Sequence, residues 1–384
     1  MLDRLKETIS HSISTNDVEH SYFDIDLKDN SFSRDINNLK YLNEIKESNK
    51  KSFVAIAIVV LLLIATMLIS FNVGRYSVSI DNVIKILFKD VFHFERTWQD
   101  VYETIVWNVR MPRIIAAVLV GAALAVAGAT YQGLFRNPMV SPDILGASAG
   151  ASVGACFMML INQNGIIIQL ASFVFGLVAV ALTYSLSKTI SKSTDSVLML
   201  VLCGLIVTTL FQAFVSIIKY VADTDSQLPE ITYWLMGSIA KVTYKDILFF
   251  GIPFLVGTIP IMLIRWQLNV MSFGEDEAKA MGINVRQIRL ICIICSTLLT
   301  AGVVSIAGTV GWVGLMIPHL VRFIVGPNND KLLPMSFFVG ALFMLIVDNV
   351  CRSALAYEIP LGVLTSLLGA PFFILILYKN RGAI

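Results

Sequence analysis

The sequence predicts an all-α membrane protein with about ten transmembrane helices and an inverted internal repeat. Of its 384 residues, 56% are hydrophobic and only 15% are charged, and the mean hydropathy is +0.75. One globular core could not bury that much apolar surface, so lipid must solvate most of the chain. Uncharged stretches of about 20 residues, the length that a spanning helix needs, recur along the sequence.

The first element is a polar segment rather than a span. Residues 1–51 are rich in Asn, Ser, Asp and Lys, which predicts a cytoplasmic N-terminal tail with short helical stretches around Leu39 to Glu47. The first apolar run is too long for the hydrophobic region of a secretory signal, so it should remain as the first span. Residues 52–384 are then expected to form the ten-helix transmembrane domain.

Apolar runs define the spans in order. No charged residue occurs between Ile144 and Ser187, but this run is too long for one helix, and Asn162 to Gly165 offers turn chemistry at its centre. The sequence therefore predicts a tight helical hairpin there. Small residues are concentrated in 121–129 and 146–154, where lipid-embedded helices should touch. The predicted spans are 53–71, 112–134, 144–161, 166–187, 197–218, 247–264, 288–307, 309–325, 332–350 and 360–378.

The distribution of Lys and Arg predicts which ends of the spans face the cytoplasm. With the Lys-rich tail inside, Lys192, Arg265 and Lys331 also fall inside, and ten spans return the C-terminus to the cytoplasm. The turn at Asn162 carries no basic residue and falls outside. Residues 72–113 and 219–246 carry several basic residues yet also fall outside, so the basic residues alone do not fix the topology.

A weak internal repeat supports this topology. Arg110 and Arg113 precede one apolar helix with the same spacing with which Arg286 and Arg289 precede another. The copies lie an odd number of spans apart and cross the membrane in opposite directions, as in transporters whose pathway runs between inverted halves. Chance similarity of Gly- and Ala-rich helices is the alternative. An Ala-Gly pair and a later proline follow in each copy: Ala127-Gly128 to Pro138, and Ala307-Gly308 to Pro318.

Several function classes lack their motifs. No G-x-x-x-x-G-K-[ST] loop occurs to hold nucleotide phosphates, and no catalytic cluster supports an enzyme. A net charge of +2, with basic residues at the ends of apolar runs, argues against nucleic acid as a partner. The five cysteines lie in or beside apolar runs, and Cys292 and Cys295 have no second pair or histidine with which to complete a metal site.

The segment from Gly274 to Gly282 is the most informative soluble piece between predicted spans. Acidic residues after Gly274 suit a helix N-terminus, and Gly282 suits the position that ends a helix. We expect a short helix from Glu275 to Met281 on which a partner protein acts, the alternative being a solvated loop helix. Ala278 and Ala280 would be small because close contact with the partner leaves little room.

Short motifs distributed from Val109 to Phe373 resemble those of a known family. They are RMPR (110–113), LVGAAL (119–124), QGLFRNP (132–138), LGASAGA (145–151), YWLMGS (233–238), GLMIPH (314–319), PLGVLT (360–365) and LGAPFF (368–373). In this order they resemble the permease family of bacterial ATP-binding-cassette importers for iron-siderophores, haem and cobalamin, the type with ten spans per subunit. The polar tail is longer than the family requires.

The resemblance implies roles for three groups of residues. Arginines that pair with acids of the binding protein in the family match Arg110, Arg113 and Arg352, with snorkelling toward lipid head groups as the alternative. The coupling helix that contacts the ATPase matches Gly274, Glu275, Asp276, Glu277, Ala278, Lys279, Ala280, Met281 and Gly282. The inner gate matches Asn137, Pro138 and Met139, together with the turn from Ser193 to Ser196.

The resulting hypothesis is a permease of the bacterial plasma membrane that translocates a ferric siderophore or a related metal chelate. It pairs with a second permease subunit, identical or different, docks ATP-binding subunits and receives cargo from an extracytoplasmic substrate-binding protein. The chain itself holds no cofactor, and ATP and Mg bind the partners. Cobalamin or haem import is the alternative. A secondary transporter is less favoured, because only Asp348 and His319 are candidate buried ionisable groups, and Asp348 lies near enough to Arg352 for an ion pair.

Overall fold

The computed structural model describes residues 30–74, 76, 78–89, 95–190 and 196–379. Regular structure in these ranges is helical, without a β-strand. The α-helices are α1 (Asn30–Ser70), α2 (Ile80–Leu87), α3 (Asp100–Thr104), α4 (Met111–Leu134), α5 (Ala147–Leu160), α6 (Gly165–Ile190), α7 (Ser196–Val221), α8 (Gln227–Leu235), α9 (Tyr244–Leu263), α10 (Arg265–Met271), α11 (Glu275–Ala280), α12 (Val285–Ala307), α13 (Val313–Val325), α14 (Asn329–Ser353) and α15 (Leu361–Lys379).

Two compact units divide the chain, Met1–Lys51 and Ser52–Ile384. Helix α1 begins in the first unit, and the later helices belong to the second. Each predicted apolar run falls on a helix of the second unit or on the apolar part of α1. Among the described residues, seven helices are long and apolar enough to cross a membrane, whereas α5, α13 and the apolar part of α15 (Leu361–Ile376) are shorter.

The predicted hairpin between the third and fourth spans is present. Helix α5 ends at Leu160 and α6 begins at Gly165. Between them Asn162 has a φ of 53°, which asparagine tolerates better than most residues. Gln227 at the start of α8 donates its side-chain amide to the carbonyl of Leu160 at 2.8 Å. That bond satisfies one of the carbonyls that a helix end leaves without an intrahelical partner.

Glycines allow the helix backbones to touch, as the small-residue stretches predict. A Cβ atom added to Gly121 on α4 would lie 2.1 Å from the carbonyl oxygen of Gly340 on α14. One added to Gly128 would lie 1.8 Å from the carbonyl oxygen of Gly314 on α13. In lipid, where helices associate through packing, such contacts hold α4 between α13 and α14.

The helix order of the two halves also repeats, since a long helix precedes a short one in α4 and α5 and again in α12 and α13. The landmark residues of the predicted repeat lie at different structural positions in the two copies. Pro138 lies in a turn after α4, whereas Pro318 lies inside α13. Gly128 lies within α4, whereas Gly308 follows the end of α12 with a φ of 67°.

Candidate functional site

The three predicted docking arginines lie with two acids where α4 begins and α14 ends. Arg113 donates Nε–H to Asp348 Oδ1 and Nη1–H to Glu358 Oε1, each at 2.9 Å. One turn after Asp348, Arg352 places Nε 3.6 Å from Asp348 Oδ2, which confirms the ion pair predicted there. Arg110 lies at the start of α4. Arg110, Arg113, Asp348, Arg352 and Glu358 together form the arginine cluster.

The cluster also holds the end of α1. Arg110 donates to the carbonyl of Phe71, and Arg352 donates Nη2–H to the carbonyl of Ser70 at 2.7 Å. Asn349 on α14 donates to the hydroxyl of Ser70 at 2.7 Å. The carbonyls at the C-terminal end of a helix lack intrahelical partners and attract cations, so guanidinium groups are suitable donors for them.

The three predicted docking arginines are buried. The exposed fractions of Arg110, Arg113 and Arg352 are 4%, 6% and 5%. Acids and carbonyls of the same chain accept hydrogen bonds from all three arginines. The same burial does not fit snorkelling toward lipid head groups. A role in docking the binding protein stays a prediction.

The predicted coupling segment forms a short helix between two glycines. Helix α11 ends at Ala280, one residue before the predicted end at Met281. Gly274 precedes the helix with a φ of 146°, and Gly282 follows it with a φ of 81°. These values lie where glycine is strongly favoured, because a Cβ atom would clash with the backbone.

Charged side chains of α11 pair within the chain or remain in water. Glu275 forms an ion pair with Arg289 on α12. Lys279 places Nζ 2.9 Å from Asp276 Oδ1 on the exposed face, and this hydrogen bond raises the pKa of Lys279. The outward face of α11 therefore carries a lysine that is charged at neutral pH.

The two alanines of α11 face different environments. Ala278 is fully buried in the core of its own chain, whereas Ala280 is exposed. The expectation that both are small because of a partner is wrong for Ala278, whose size is set by packing inside the subunit. Phe273 and Met281, which flank α11 in the sequence, are 74% and 58% exposed. The surface that α11 leaves free for a partner is therefore partly apolar.

The predicted inner gate is an exposed turn. Asn137 Oδ1 accepts a hydrogen bond from the amide of Met139 at 2.9 Å, and Pro138 lies between them. Ser193 lies outside the described residues. Ser196 is the first residue of α7, and its side chain also lies outside the described part of the structure.

Sequence reasoning missed a buried glutamine between α4 and α13. Gln132 is 2% exposed, and its Nε2 donates to the carbonyl of Leu315 at 3.2 Å. Its Oε1 accepts a hydrogen bond from Arg322 Nη2 at 3.1 Å. A polar residue inside a predicted span was the available signal, since polar groups in the membrane tend to have partners.

A cavity of about 540 Å³ was also missed. It is lined by Asp143 and Ser148 near the start of α5, by Thr309 before α13, and by Ser366 on α15. The Asp143 carboxylate accepts a hydrogen bond from the Ser148 hydroxyl. Asp143 immediately precedes the uncharged run that begins at Ile144, where the sequence gives no further signal of a cavity. No cluster of three or more His, Cys, Asp or Glu side chains that could hold a metal occurs among the described residues.

The helical part of the chain matches a known protein family. The model of the FecCD transport family matches residues 62–379, which is most of the chain. The chain belongs to this family. Its members are permease subunits of ATP-binding-cassette importers. The chain is therefore a multi-pass transport subunit, and ATP is hydrolysed by a separate subunit.

Relatives within the FecCD transport family carry different cargo names. The chain is 41% identical over 321 residues to the molybdate import system permease protein of Haemophilus influenzae, with 84% of this chain and 94% of the relative covered. It is 37% identical over 278 residues to a protein of Helicobacter pylori named as an iron chelatin transport system permease, with 72% and 83% covered. Family membership thus establishes transport but not the cargo.

A solved structure supports the same fold. A protein described as a metal-chelate type ABC transporter, in an inward-facing conformation, is 38% identical to this chain. The TM-score is 0.74, and 85% of this chain and 99% of that chain are covered. The helical architecture of the FecCD permease is therefore present in this chain.

Proposed function

We propose that this FecCD permease carries a metal chelate, in the first instance a ferric siderophore, across a bacterial plasma membrane. The observation that carries the proposal is the similarity to a metal-chelate type transporter over 85% of the chain. The Helicobacter pylori relative, named for iron chelatin, supports it. Both termini face the cytoplasm in this proposal, as the placement of Lys and Arg favours.

The proposed assembly contains a second permease subunit, ATP-binding subunits and an extracytoplasmic substrate-binding protein. ATP binds the partners, and its hydrolysis switches the permease between outward-open and inward-open states by stabilising them differently. Helix α11 transmits this motion through its exposed face, which includes Lys279 and Ala280, and through Met281, which follows the helix. The turn from Asn137 to Met139 acts as an inner gate together with the turn from Ser193 to Ser196.

The arginine cluster docks the binding protein through its most accessible edge. Glu358 is the partly exposed member, with 29% of its side chain accessible, against 8% for Arg113. An acid on the binding protein can replace Glu358 as the partner of Arg113 without removing Asp348 from the buried pair. Docking then exchanges one ion pair for another, which suits a reversible contact.

A reconstituted assembly tests the proposed cargo. The full chain, its ATP-binding subunits and its binding protein are placed in proteoliposomes, and ATP hydrolysis and uptake are measured with a ferric siderophore, haem, cobalamin and molybdate. We expect the ferric siderophore to stimulate hydrolysis most and to accumulate inside. The permease alone should hydrolyse no ATP. Stimulation and uptake with molybdate alone would overturn the proposed cargo.

Molybdate is the second candidate cargo. It is favoured by the 41% identity to the Haemophilus influenzae permease, which is higher than the identity to the iron chelatin relative. A small oxyanion and a bulky ferric chelate differ in charge and size, so the two candidates predict opposite results in the same assay.

A further inference from the structure

We propose that the cavity at Asp143 is a charge-selective site on the translocation pathway. Asp143 admits neutral or cationic chelates there and excludes free oxyanions. The inference rests on the proposed transport function and makes it more specific. Asp143 is a specificity-determining residue in this proposal, and the cavity is a transient site for cargo.

The place of the cavity in the fold supports a role in transport. Helices α5 and α13 hold corresponding places in the two halves, and their 14 and 13 residues rise only about 20 Å, less than the roughly 30 Å hydrocarbon core. The chain before each short helix is not α-helical, a 3-10 turn at Pro142–Leu145 before α5 and irregular residues 308–312 before α13, and within the membrane such chain must be buried or line a cavity. The cavity lies where these two connections meet, and interrupted helices in corresponding positions mark substrate sites in transporters with inverted repeats.

The hydroxyl groups that line the cavity already act as hydrogen-bond donors within the chain. Ser148 donates to the Asp143 carboxylate, and Thr309 and Ser366 each donate to a backbone carbonyl. A hydroxyl has one proton and two acceptor lone pairs. These three side chains therefore offer a passing ligand only oxygen lone pairs, which suit a donor or a cation.

The acidic side chain in the cavity also favours a cation or a hydrogen-bond donor as ligand. Asp143 is the one acidic or basic side chain among the described residues that line the cavity. An acid at membrane depth acts in a medium of low dielectric, where its field extends further than in water. The amino ends of α5 and α13 carry partial positive charge that offsets part of this field. The electrostatic potential inside the cavity is the sum of these two contributions, and its sign tests the proposal.

A cysteine at Ser366 reports that potential directly. Ser366→Cys is introduced into the full chain, whose five native cysteines are buried. Its reaction rates with a cationic trimethylammonium and an anionic sulfonate methanethiosulfonate are then compared. We expect the cationic reagent to react faster and Asp143→Asn to lower the cation-to-anion ratio on the order of tenfold.

Two controls separate charge from structure. Ser148→Ala removes the hydrogen bond but keeps the carboxylate, so the ratio at Ser366→Cys should persist. A cysteine introduced by Tyr220→Cys, at a position that is 90% exposed, reports a site outside the cavity. Its cation-to-anion ratio should be the same whether residue 143 is Asp or Asn. A preference for the anionic reagent, or a ratio that Asp143→Asn does not change, would overturn the proposal.

Uptake by the reconstituted assembly tests selectivity. Cationic and anionic ferric hydroxamates of matched size serve as probes, and we expect Asp143→Asn to reduce the preference for the cationic one several-fold while Tyr220→Ala, at a position outside the cavity lining, retains it. An unchanged preference in a transporting Asp143→Asn assembly would overturn the specificity role. Absence of ferric chelate uptake by the unmodified assembly would instead overturn the proposed function, whereas the potential of the cavity is decided by the reagent ratio alone.

Discussion

The arginine cluster and the coupling segment carry the same kinds of charged residue in opposite surroundings. Arg113 and Asp348 are 2.9 Å apart with side chains 8% and 0% exposed. Lys279 and Asp276 are also 2.9 Å apart, but their side chains are 59% and 92% exposed. Removing one partner of a buried pair leaves an uncompensated charge, whereas water solvates either member of an exposed pair. Burial, rather than the ion-pair distance, decides what each pair does.

The largest effect on stability should follow from removing the acid at the centre of the arginine cluster. Asp348→Ala leaves Arg113 and Arg352 without their shared acid, and we expect the free energy of unfolding to fall by about 3–5 kcal/mol. Unfolding in mixed micelles with increasing denaturing detergent measures the change. Asp276→Ala on α11 is the matched control and should leave the midpoint unchanged. Equal midpoints for the two variants would remove the contrast between the regions.

Substitutions at the two alanines of α11 should separate an effect on stability from an effect on coupling to the ATPase. Ala278→Trp overpacks a fully buried site, and we expect a loss of about 1–3 kcal/mol in the free energy of unfolding. Ala280→Trp projects from the exposed face and should keep stability while reducing ATPase-coupled uptake. Unfolding of the isolated subunit and uptake by the assembly separate the two effects. Normal uptake with Ala280→Trp would show that the exposed face of α11 does not contact the ATPase.

Glu358 tests whether the buried cluster can also dock a partner. Glu358→Gln removes the acid that competes for Arg113, and a partly exposed pair contributes up to about 1 kcal/mol, so the affinity for the binding protein should rise by up to about fivefold. Biolayer interferometry on the permease in nanodiscs measures this affinity. A weaker complex would indicate that the binding protein contacts Glu358 itself.

The smallest effect should come from the exposed pair on α11. Lys279→Ala removes a side chain that water solvates, so the unfolding midpoint should not change measurably. The same detergent titration used for Asp348→Ala provides the comparison. A loss of stability in this variant would contradict the assignment of the pair to the solvated face.

The sequence by itself determined the spans, the hairpin at Asn162 and the short helix α11. These features depend on local signals: apolar run length, turn residues, and acids that begin a helix between two glycines. The family motifs were also readable along the chain, and the transport class followed from them. Small-residue stretches correctly marked the close helix contacts at Gly121 and Gly128, because only small side chains allow that approach.

Only the tertiary structure decided which charges are buried and which residues share a cavity. Arg113 and Asp348 are 235 positions apart, so no local pattern could show that the arginine is paired rather than exposed. Ala278 and Ala280 look equivalent in the sequence, yet one packs in the core and the other faces solvent. Asp143 meets Thr309 and Ser366 only because three distant segments converge. Burial and pairing depend on these long-range contacts, whereas helix formation in a membrane depends on the hydropathy and hydrogen bonding of each segment alone.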